Sequence, residues 1–387
     1  MVLSSRLWAT RLLGQESETI NHKPRTMNCG ETESREISDA AVMQKEPLVS
    51  VWMTAYNHEP YIARAIEGVL MQKTAFPLEL VIGEDCSTDR TREIVLEWQK
   101  RRPGTIRVIT SDRNVGLFEN DRRVNRALRG KYVAFCEGDD YWIHPRKLQM
   151  QVDIMEAHPD VGLVHGGYDK LVASRNKLLR WRQWRPKAVP PSRYDDVFTQ
   201  LLAGEYQQPA MPHTSNVCMR RGLYLAVREN NPDSFREEFI VVDTQTWLEA
   251  ARLTRFEFID ESLAVYNYQP DSISNTQDMN RRIAFFQTMT RMQLYMCRKY
   301  GCPREVEDRI SLRHSGWLLF LSFAAGRREL AQECASTIGS IRGGLTVLQK
   351  MLLFGTANRK ARAAVRLGYG LYRALPDALQ SPFRRSL

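Results

Sequence analysis

Three carboxylates follow a short apolar segment near the middle of the chain. Residues 132–136 read Tyr-Val-Ala-Phe-Cys, and Glu137, Asp139 and Asp140 come directly after them, around a single glycine. Carboxylates this close repel one another, and moving them out of water costs free energy unless a positive charge compensates. A solvated turn would explain the segment. A divalent-metal site would also explain it, because Mg²⁺ and Mn²⁺ prefer one or two carboxylates together with substrate phosphates.

A second acidic loop, residues 84–89, reads Glu-Asp-Cys-Ser-Thr-Asp and follows another apolar segment. An aspartate can accept a hydrogen bond from a nucleotide base or a ribose hydroxyl. Asp, Ser or Thr in front of a helix can instead cap its first amides. We expect Asp85 to contact a nucleotide and Asp89 to cap the helix that follows.

Strands and helices alternate around these loops. Strand-like apolar segments lie at residues 48–53, 78–83, 106–109 and 131–136, and the segments between them have helical spacing. This alternation predicts an α/β fold with a mostly parallel sheet flanked by helices. Ligands bind beyond the carboxyl ends of such strands. Polar loops stand at all four ends and would converge on one edge: TAYNHE, EDCSTD, SDRNVG and EGDDYW.

Composition and charge divide the chain into three predicted parts. Residues 1–45 are polar and predict a loosely ordered extension, residues 46–278 form the α/β domain, and residues 279–387 are basic and mainly helical. The whole chain carries a net charge of +10. Residues 281–387 hold 19 Lys and Arg against 6 Asp and Glu, which leaves −3 for the remainder. A basic tail on a mildly acidic body indicates anionic partners rather than a particular fold.

The basic segment 357–380 interleaves Arg and Lys with Ala, Val, Leu and Tyr. This pattern fits an amphipathic helix on an anionic membrane, and equally a packed helix with a solvated basic face. We do not expect nucleic acid as a partner, because no recognised binding module accompanies the charge.

The sequence also predicts where the protein works. No apolar run approaches the roughly 18 residues of a membrane-spanning helix, and the first 14 residues lack the apolar core of a secretory signal. The seven cysteines are scattered and show no metal-ligand spacing, which is typical of reduced thiols. We therefore expect a cytoplasmic protein, peripheral to the inner face of the membrane if the basic tail binds lipid.

Taken in order, these segments resemble the inverting family 2 glycosyltransferases, which have the Rossmann-like GT-A fold. PLVSVWMTAYNHEPYIARAIEGVLMQ resembles the opening strand, loop and helix of that family, and VIGEDCSTDRT resembles its acidic nucleotide motif. GKYVAFCEGDDYWIHPRKLQMQV resembles its metal motif and the following helix. The resemblance runs from residue 47 to about residue 275. It implies a nucleotide-diphosphate sugar donor and Mg²⁺ or Mn²⁺ as the cofactor.

The resemblance also implies roles for individual residues. It assigns donor-nucleotide contacts to six of them: Thr54, Tyr56, Glu59, Asp85, Asn114 and Asp139. It assigns the metal to three carboxylates, with Asp139 ranked first: Asp139, Asp140 and Glu137. The family often has aspartate where this chain has Glu84 and Glu137, so both positions keep a carboxylate.

An inverting transfer needs a general base that takes the proton of the acceptor hydroxyl. The family places this carboxylate at the start of a helix, downstream of a segment like residues 213–216. Asp243 in FIVVDTQTW fits that position, with Glu237 and Glu238 as rivals. The alternative is a purely structural role in which Asp243 caps the helix, because aspartate is common at helix N-termini.

Two further features are ambiguous. The segment RWRQWR at residues 180–185 could stack on a sugar, pair with phosphates or meet a membrane, or it could be a solvated edge hairpin. It does not match the QxxRW signature of processive synthases, which favours addition of a single sugar. His213 is a candidate to face the acceptor, whereas we expect His58, His144 and His165 to be structural.

The predicted function is transfer of one sugar, with inversion, from a nucleotide-diphosphate sugar to a hydroxyl of a glycan or lipid-linked acceptor in surface-polysaccharide synthesis. Uridine is the default base by resemblance to the family. One alternative is a sugar-phosphate nucleotidyltransferase, although TAYNHEPY is not the glycine-rich basic loop that such an enzyme needs. The other is a non-catalytic sugar-nucleotide or glycan-binding protein, which would tolerate replacement of Asp243.

Overall fold

The computed structural model describes residues 46–172, 177–184, 197–203, 211–229, 239, 242–269, 276, 278–357, 360 and 363. The predicted N-terminal extension, most of the basic segment 357–380, and both Glu237 and Glu238 lie outside the described residues.

A nine-stranded sheet forms the centre of the described chain, in the order β3-β2-β1-β4-β8-β6-β9-β5, with β7 paired to β6. The strands β1 to β4, and also the pair β6–β9, run parallel, whereas β5, β7 and β8 are antiparallel to their neighbours. The predicted α/β sheet is therefore confirmed, and its second half is mixed. The strands are β1 (Val49–Ala55), β2 (Leu78–Glu84), β3 (Ile106–Ile109), β4 (Tyr132–Phe135), β5 (Tyr141–Trp142), β6 (Val161–Val172), β7 (Lys177–Leu179), β8 (Cys218–Arg220) and β9 (Arg255–Tyr268).

Helices connect the strands and follow the last one. They are α1 (Ile62–Leu70), α2 (Thr91–Arg101), α3 (Leu117–Ala127), α4 (Lys147–Ala157), α5 (Trp181–Trp184), α6 (Val197–Ala203), α7 (Arg221–Glu229), α8 (Val242–Ala251), α9 (Met279–Lys299), α10 (Arg304–Ala325), α11 (Arg328–Arg342) and α12 (Val347–Ala357). A short 3₁₀ turn covers Thr214–Asn216.

Hydrophobic clusters cover both faces of the sheet. Successive side chains of a strand point to opposite faces, so Val51 and Met53 pack in one cluster while Trp52 packs in the other. Strand β1 is buried along its whole length, as expected for a parallel strand between two helical layers.

The C-terminal helices are not separated from this core. Met289 and Met292 of α9 belong to the same hydrophobic cluster as Trp247 of α8. A further cluster lies among α10, α11 and α12 and includes Leu319 and Leu352. The division of the chain at residue 278 stays a prediction.

The second half of the sheet and the RWRQWR segment add detail that the sequence did not provide. Residues 255–268 form one long strand, and its pairing with β6 shifts register around Gly166 and Gly167. Trp181, in the RWRQWR segment, is buried rather than part of a solvated hairpin: its indole nitrogen donates to Asp260 at 2.8 Å. Its ring lies so close to Gly167 that a Cβ there would stand 2.5 Å away.

The described part of the chain also bears on the predictions for cysteines and for membrane-spanning helices. Its six cysteines are all free thiols. No helix in it is long and apolar enough to cross a bilayer.

Candidate active site

The loops after β1 and β4 meet at the carboxyl edge of the sheet, because these strands pair directly in parallel. The Thr54 hydroxyl donates to Glu137 Oε2 at 3.3 Å, and the Gly138 amide donates to the Thr54 carbonyl at 3.2 Å. A Cβ on Gly138 would stand 2.6 Å from His58 Nδ1 and 2.7 Å from the Thr54 carbonyl oxygen. Only glycine permits this close approach of the two loops.

Glu137, Asp139 and Asp140 lie in the loop after β4, which we call the acidic loop. Their carboxylates are all buried but differ in their hydrogen bonds. Asp140 accepts the Ser215 hydroxyl at 2.7 Å on one oxygen and the Asn267 amide at 2.9 Å on the other. Among the described residues, Asp139 accepts one side-chain hydrogen bond, from Gln269 at 3.3 Å. Among the same residues, the Glu137 carboxylate accepts one hydrogen bond, the long one from the Thr54 hydroxyl. The chain therefore fixes Asp140 and leaves Asp139 and Glu137 weakly bonded.

The electrostatics of this loop follow from burial and crowding. Burial raises the pKa of Asp139 to about 7. Burial, and next the charge of Asp139, raises the pKa of Asp140 to about 8. Burial raises the pKa of Glu137 well above its usual range, and the charges of Asp139, Asp140 and Asp243 add to it. Without a nearby cation, all three carboxylates resist ionisation.

This arrangement fits a cation that receives one or two ligands from the chain. No three His, Cys, Asp or Glu side chains in the described ranges converge as a ready-made metal cage. Mg²⁺ and Mn²⁺ do not need one, since substrate phosphates and water can complete the coordination. The weakly bonded oxygens of Asp139 and Glu137 suit this role, whereas both oxygens of Asp140 are already engaged.

Asp85 organises the loop after β3. Its carboxylate accepts the backbone amides of Val115 and Gly116 at 2.8 and 2.9 Å, and the Ser111 hydroxyl at 3.4 Å. The Asn114 amide nitrogen donates to the Asp85 carbonyl at 3.2 Å. A carboxylate has about four acceptor positions, so one remains for a ligand. The predicted nucleotide contacts of Asp85 and Asn114 stay predictions, within a loop that the two residues visibly shape.

The loop after β1 is tied to the loop after β2. The Glu59 carboxylate accepts the Arg90 amide at 3.2 Å, and the Glu59 amide donates to Asp89 at 3.0 Å. Asp89 also accepts the Thr91 amide at 2.9 Å, which is the capping contact expected at the start of α2. Tyr56 follows Ala55, whose carbonyl accepts the Asp85 amide at 3.1 Å. Burial, and to a smaller extent the charge of Asp85, raises the pKa of the Tyr56 phenol.

Asp243 stands in the first turn of α8 and borders the acidic loop. One of its oxygens accepts the Thr244 amide at 2.6 Å, and the other accepts the Thr214 hydroxyl at 3.4 Å. The first contact is of the capping type. Thr214, which contacts Asp243, is followed by Ser215, whose hydroxyl contacts both the Glu137 amide and the Asp140 carboxylate. The structure thus brings the predicted base and the predicted metal ligands to one edge.

The histidines are mostly interior residues. His213 is buried, with its ring 4.6 Å from that of Tyr168 and 4.8 Å from that of Tyr266. Burial lowers the pKa of His213 well below its usual range, so this imidazole is neutral. Burial likewise lowers the pKa of His58 to about 4 and that of His165 to about 3. His144 lies on the outside, 3.2 Å from Glu261.

Sequence reasoning missed the residues that hold the acidic loop from the far side. Ser215 contacts both the Glu137 amide and the Asp140 carboxylate, and Gln269 contacts Asp139. These partners lie 75 or more residues downstream, and strands β8 and β9 carry them into place. The only available sequence signal was a cluster of polar residues beside strand-like segments.

Comparison with known proteins agrees with this geometry. The model of glycosyl transferase family 2 matches residues 50–223. An uncharacterised protein of Mycobacterium tuberculosis is 43% identical over 112 residues, which are 29% of this chain and 32% of that protein. The Escherichia coli UDP-Glc:alpha-D-GlcNAc-diphosphoundecaprenol beta-1,3-glucosyltransferase WfgD is 34% identical over 132 residues, covering 34% of this chain and 49% of that enzyme. The chain thus spans a third to a half of the length of these relatives.

A solved structure shares the fold. The crystal structure of S. aureus TarS in complex with UDP-GlcNAc aligns with 83% of this chain and 92% of that chain, with a TM-score of 0.52 and 16% identity. The family match contains β1 to β4 and the three acidic-loop carboxylates, and the structural alignment extends the likeness over most of the chain. By this sequence match, residues 50–223 form a glycosyl transferase family 2 domain, and the described chain has the corresponding GT-A architecture.

Proposed function

We propose that this chain is a metal-dependent, inverting glycosyltransferase that moves one sugar from a nucleotide-diphosphate sugar to an acceptor hydroxyl. One observation supports this most strongly. Three buried carboxylates, to which the described residues supply no positively charged side chain, stand where β1 and β4 end, and Asp243 borders them through Thr214 and Ser215. Such an edge accommodates a cation with a diphosphate, together with a base for the attacking hydroxyl.

The donor is proposed to be a UDP-sugar. The name of the relative WfgD gives UDP-glucose as the donor of that enzyme. In this chain, Asp85 has an acceptor position left for a base N–H, and Tyr56 lies beside it. We assign the remaining nucleotide contacts to Thr54, Glu59 and Asn114.

Asp139, with Glu137 beside it, is proposed to hold the divalent ion. When bound, the ion offsets the carboxylate charges and stabilises the negative charge that develops on the leaving diphosphate. Asp140 acts differently, because its hydrogen bonds to Ser215 and Asn267 fix the loop that presents Asp139.

Asp243 is proposed as the general base. The acceptor oxygen attacks the anomeric carbon, the bond from that carbon to the diphosphate oxygen breaks, and the hydroxyl proton passes to Asp243. Its contacts with Thr244 and Thr214 orient the carboxylate at the start of α8. A single displacement of this kind inverts the anomeric configuration.

The acceptor is proposed to be a growing glycan on a lipid carrier. The name of WfgD specifies a diphosphoundecaprenol-linked acceptor for that enzyme. A lipid-linked acceptor would place this chain in surface-polysaccharide synthesis at the cytoplasmic face of the membrane.

Thermal unfolding tests the donor and metal assignments together. Wild-type protein is heated with UDP, GDP, CDP or dTDP, each with Mn²⁺ or with EDTA. A ligand that binds only the folded chain at 100 times its dissociation constant adds about 2.7 kcal/mol of stability. We expect a stabilising shift with UDP that requires Mn²⁺. The absence of any nucleotide shift would contradict the proposal.

The Asp243→Asn variant separates the transferase from both alternatives. It should keep the Mn²⁺-dependent UDP shift and lose sugar transfer, measured with UDP-sugars and a lipid-linked acceptor. A non-catalytic binding protein would show no turnover in either form. A nucleotidyltransferase would instead make sugar nucleotides from sugar phosphates and nucleoside triphosphates. If the variant loses UDP binding, Asp243 is not the base.

A further inference from the structure

Helix α12 is mostly apolar but is covered on one side only. Leu352 is buried, and Leu348 packs beside it against the cluster shared with α10 and α11. On the opposite side, Val347, Met351 and Phe354 are 75%, 49% and 67% exposed. Their spacing of four and three residues places these three side chains on one face. We call this set the α12 strip.

An exposed strip of this kind needs an explanation. Single exposed hydrophobic residues are normal on protein surfaces, but three on one helix face form a contiguous patch. Contiguous exposed apolar surface marks a place where a protein meets another apolar phase or partner. The α12 strip therefore indicates a docking surface.

The charge around the strip points to the partner. Residues 334–376 contain seven Arg and Lys and no Asp or Glu. Among the described members of this stretch, Arg342 precedes α12 and Lys350 lies within it, and both are exposed. An apolar strip beside basic side chains is the pattern of a helix that lies in the interface of an anionic membrane.

A second copy of the chain is a poorer partner. A two-fold interface brings the same surface patch of both copies together, so the basic side chains would face one another and repel. Three side chains also provide much less area than the roughly 800 Å² per partner of a stable interface.

We propose that the α12 strip docks this protein onto an anionic lipid bilayer. Val347, Met351 and Phe354 enter the boundary between headgroups and acyl chains, while Lys350 and Arg342 pair with lipid phosphates. The inference is independent of sugar transfer, because it rests on the exposure and charge of α12 alone. It would nevertheless bring the protein to a membrane that carries the lipid-linked acceptors proposed above.

Vesicle co-sedimentation of the full chain tests the proposal. The vesicles are pure phosphatidylcholine, or phosphatidylcholine with 30% phosphatidylglycerol. We expect binding to the anionic vesicles only, weakened by salt. The triple variant V347S/M351S/F354S should bind at least about 30-fold more weakly, because it loses the apolar insertion. Lys350→Gln should bind about fivefold more weakly, through loss of one cation near the anionic surface.

Leu253→Ser is the matched control. Leu253 is 61% exposed, like the strip residues, but lies outside α12, so its replacement should leave vesicle binding unchanged. All the substituted side chains are solvent-exposed, and unchanged thermal unfolding of each variant checks that the fold is intact. The proposal fails if wild-type protein does not bind anionic vesicles, or if the triple variant binds them as tightly as wild type does. It also fails if light scattering shows a dimer that only the triple variant dissociates.

Discussion

Two buried acidic positions lie at opposite ends of the same sheet and behave in opposite ways. Glu79, near the start of β2, accepts the Ser50 hydroxyl at 2.6 Å and the guanidinium groups of Arg129 and Arg107 at 2.8 and 3.0 Å. Burial alone would raise its pKa, but the hydrogen bonds from Arg129 and Ser50 outweigh burial and lower it. Glu137, beyond the end of β4, has a pKa raised well above its usual range.

The difference lies in the partners, since both side chains are buried. The chain supplies its own cations to Glu79, so this carboxylate needs nothing from outside. It supplies none to Glu137 or Asp139 among the described residues, and a buried charge without a partner is costly. A cavity of about 380 Å³ lies beside Glu79, and Arg129 also lines it.

Removing one carboxylate at each end of the sheet tests this difference, and we expect the larger effect at the acidic loop. Asp139→Asn should lower the transfer rate by about 10³-fold, equivalent to about 4 kcal/mol of transition-state stabilisation. Its metal-free stability should stay equal to wild type or rise, because one uncompensated buried charge disappears. Initial rates with a UDP-sugar, together with thermal unfolding in EDTA, measure both effects. A large loss of stability would mean that Asp139 is structural, like Glu79.

The two ends also differ in how far the sequence could predict them. The apolar segments and the acidic loops are local patterns, so β1 to β4 and the carboxylates at their ends were predictable. The Glu79 network joins residues that lie 29, 28 and 50 positions away, at Ser50, Arg107 and Arg129. Strand order and register decide such contacts. For the same reason, the contacts of Ser215 and Gln269 with the acidic loop could not be predicted, because they depend on the positions of β8 and β9 in the sheet.

At the Glu79 end, the expected effect is on stability instead of rate. Glu79→Gln should lower the free energy of unfolding by about 2–3 kcal/mol, because charge-assisted hydrogen bonds from two arginines are lost. The catalytic rate of the folded fraction should not change. Urea unfolding at pH 7 measures the first effect, and initial rates well below the unfolding midpoint measure the second.

Glu156→Gln provides the control for that experiment. Glu156 also pairs with a cation, Lys131 at 2.7 Å, but both side chains are about half exposed. Solvent screens such a pair, so its loss should cost less than about 1 kcal/mol. Equal losses from the two variants would mean that burial does not separate Glu79 from an ordinary surface ion pair.

The smallest expected effect is the pH dependence of the stability that Glu79 contributes. Because the pKa of Glu79 is lowered in the folded chain, the unfolded chain binds more protons in the acidic range, and stability falls as pH falls. The contribution of Glu79 is complete above its unfolded pKa of about 4.3 and is lost as pH drops through the lower folded value. The stability gap between wild type and Glu79→Gln should therefore stay constant from pH 7 to about pH 5. It should narrow on further acidification, when followed by urea unfolding at each pH. A gap that widens in acid would mean that the arginines do not stabilise the ionised form of Glu79, and the contrast between the two ends of the sheet would then fail.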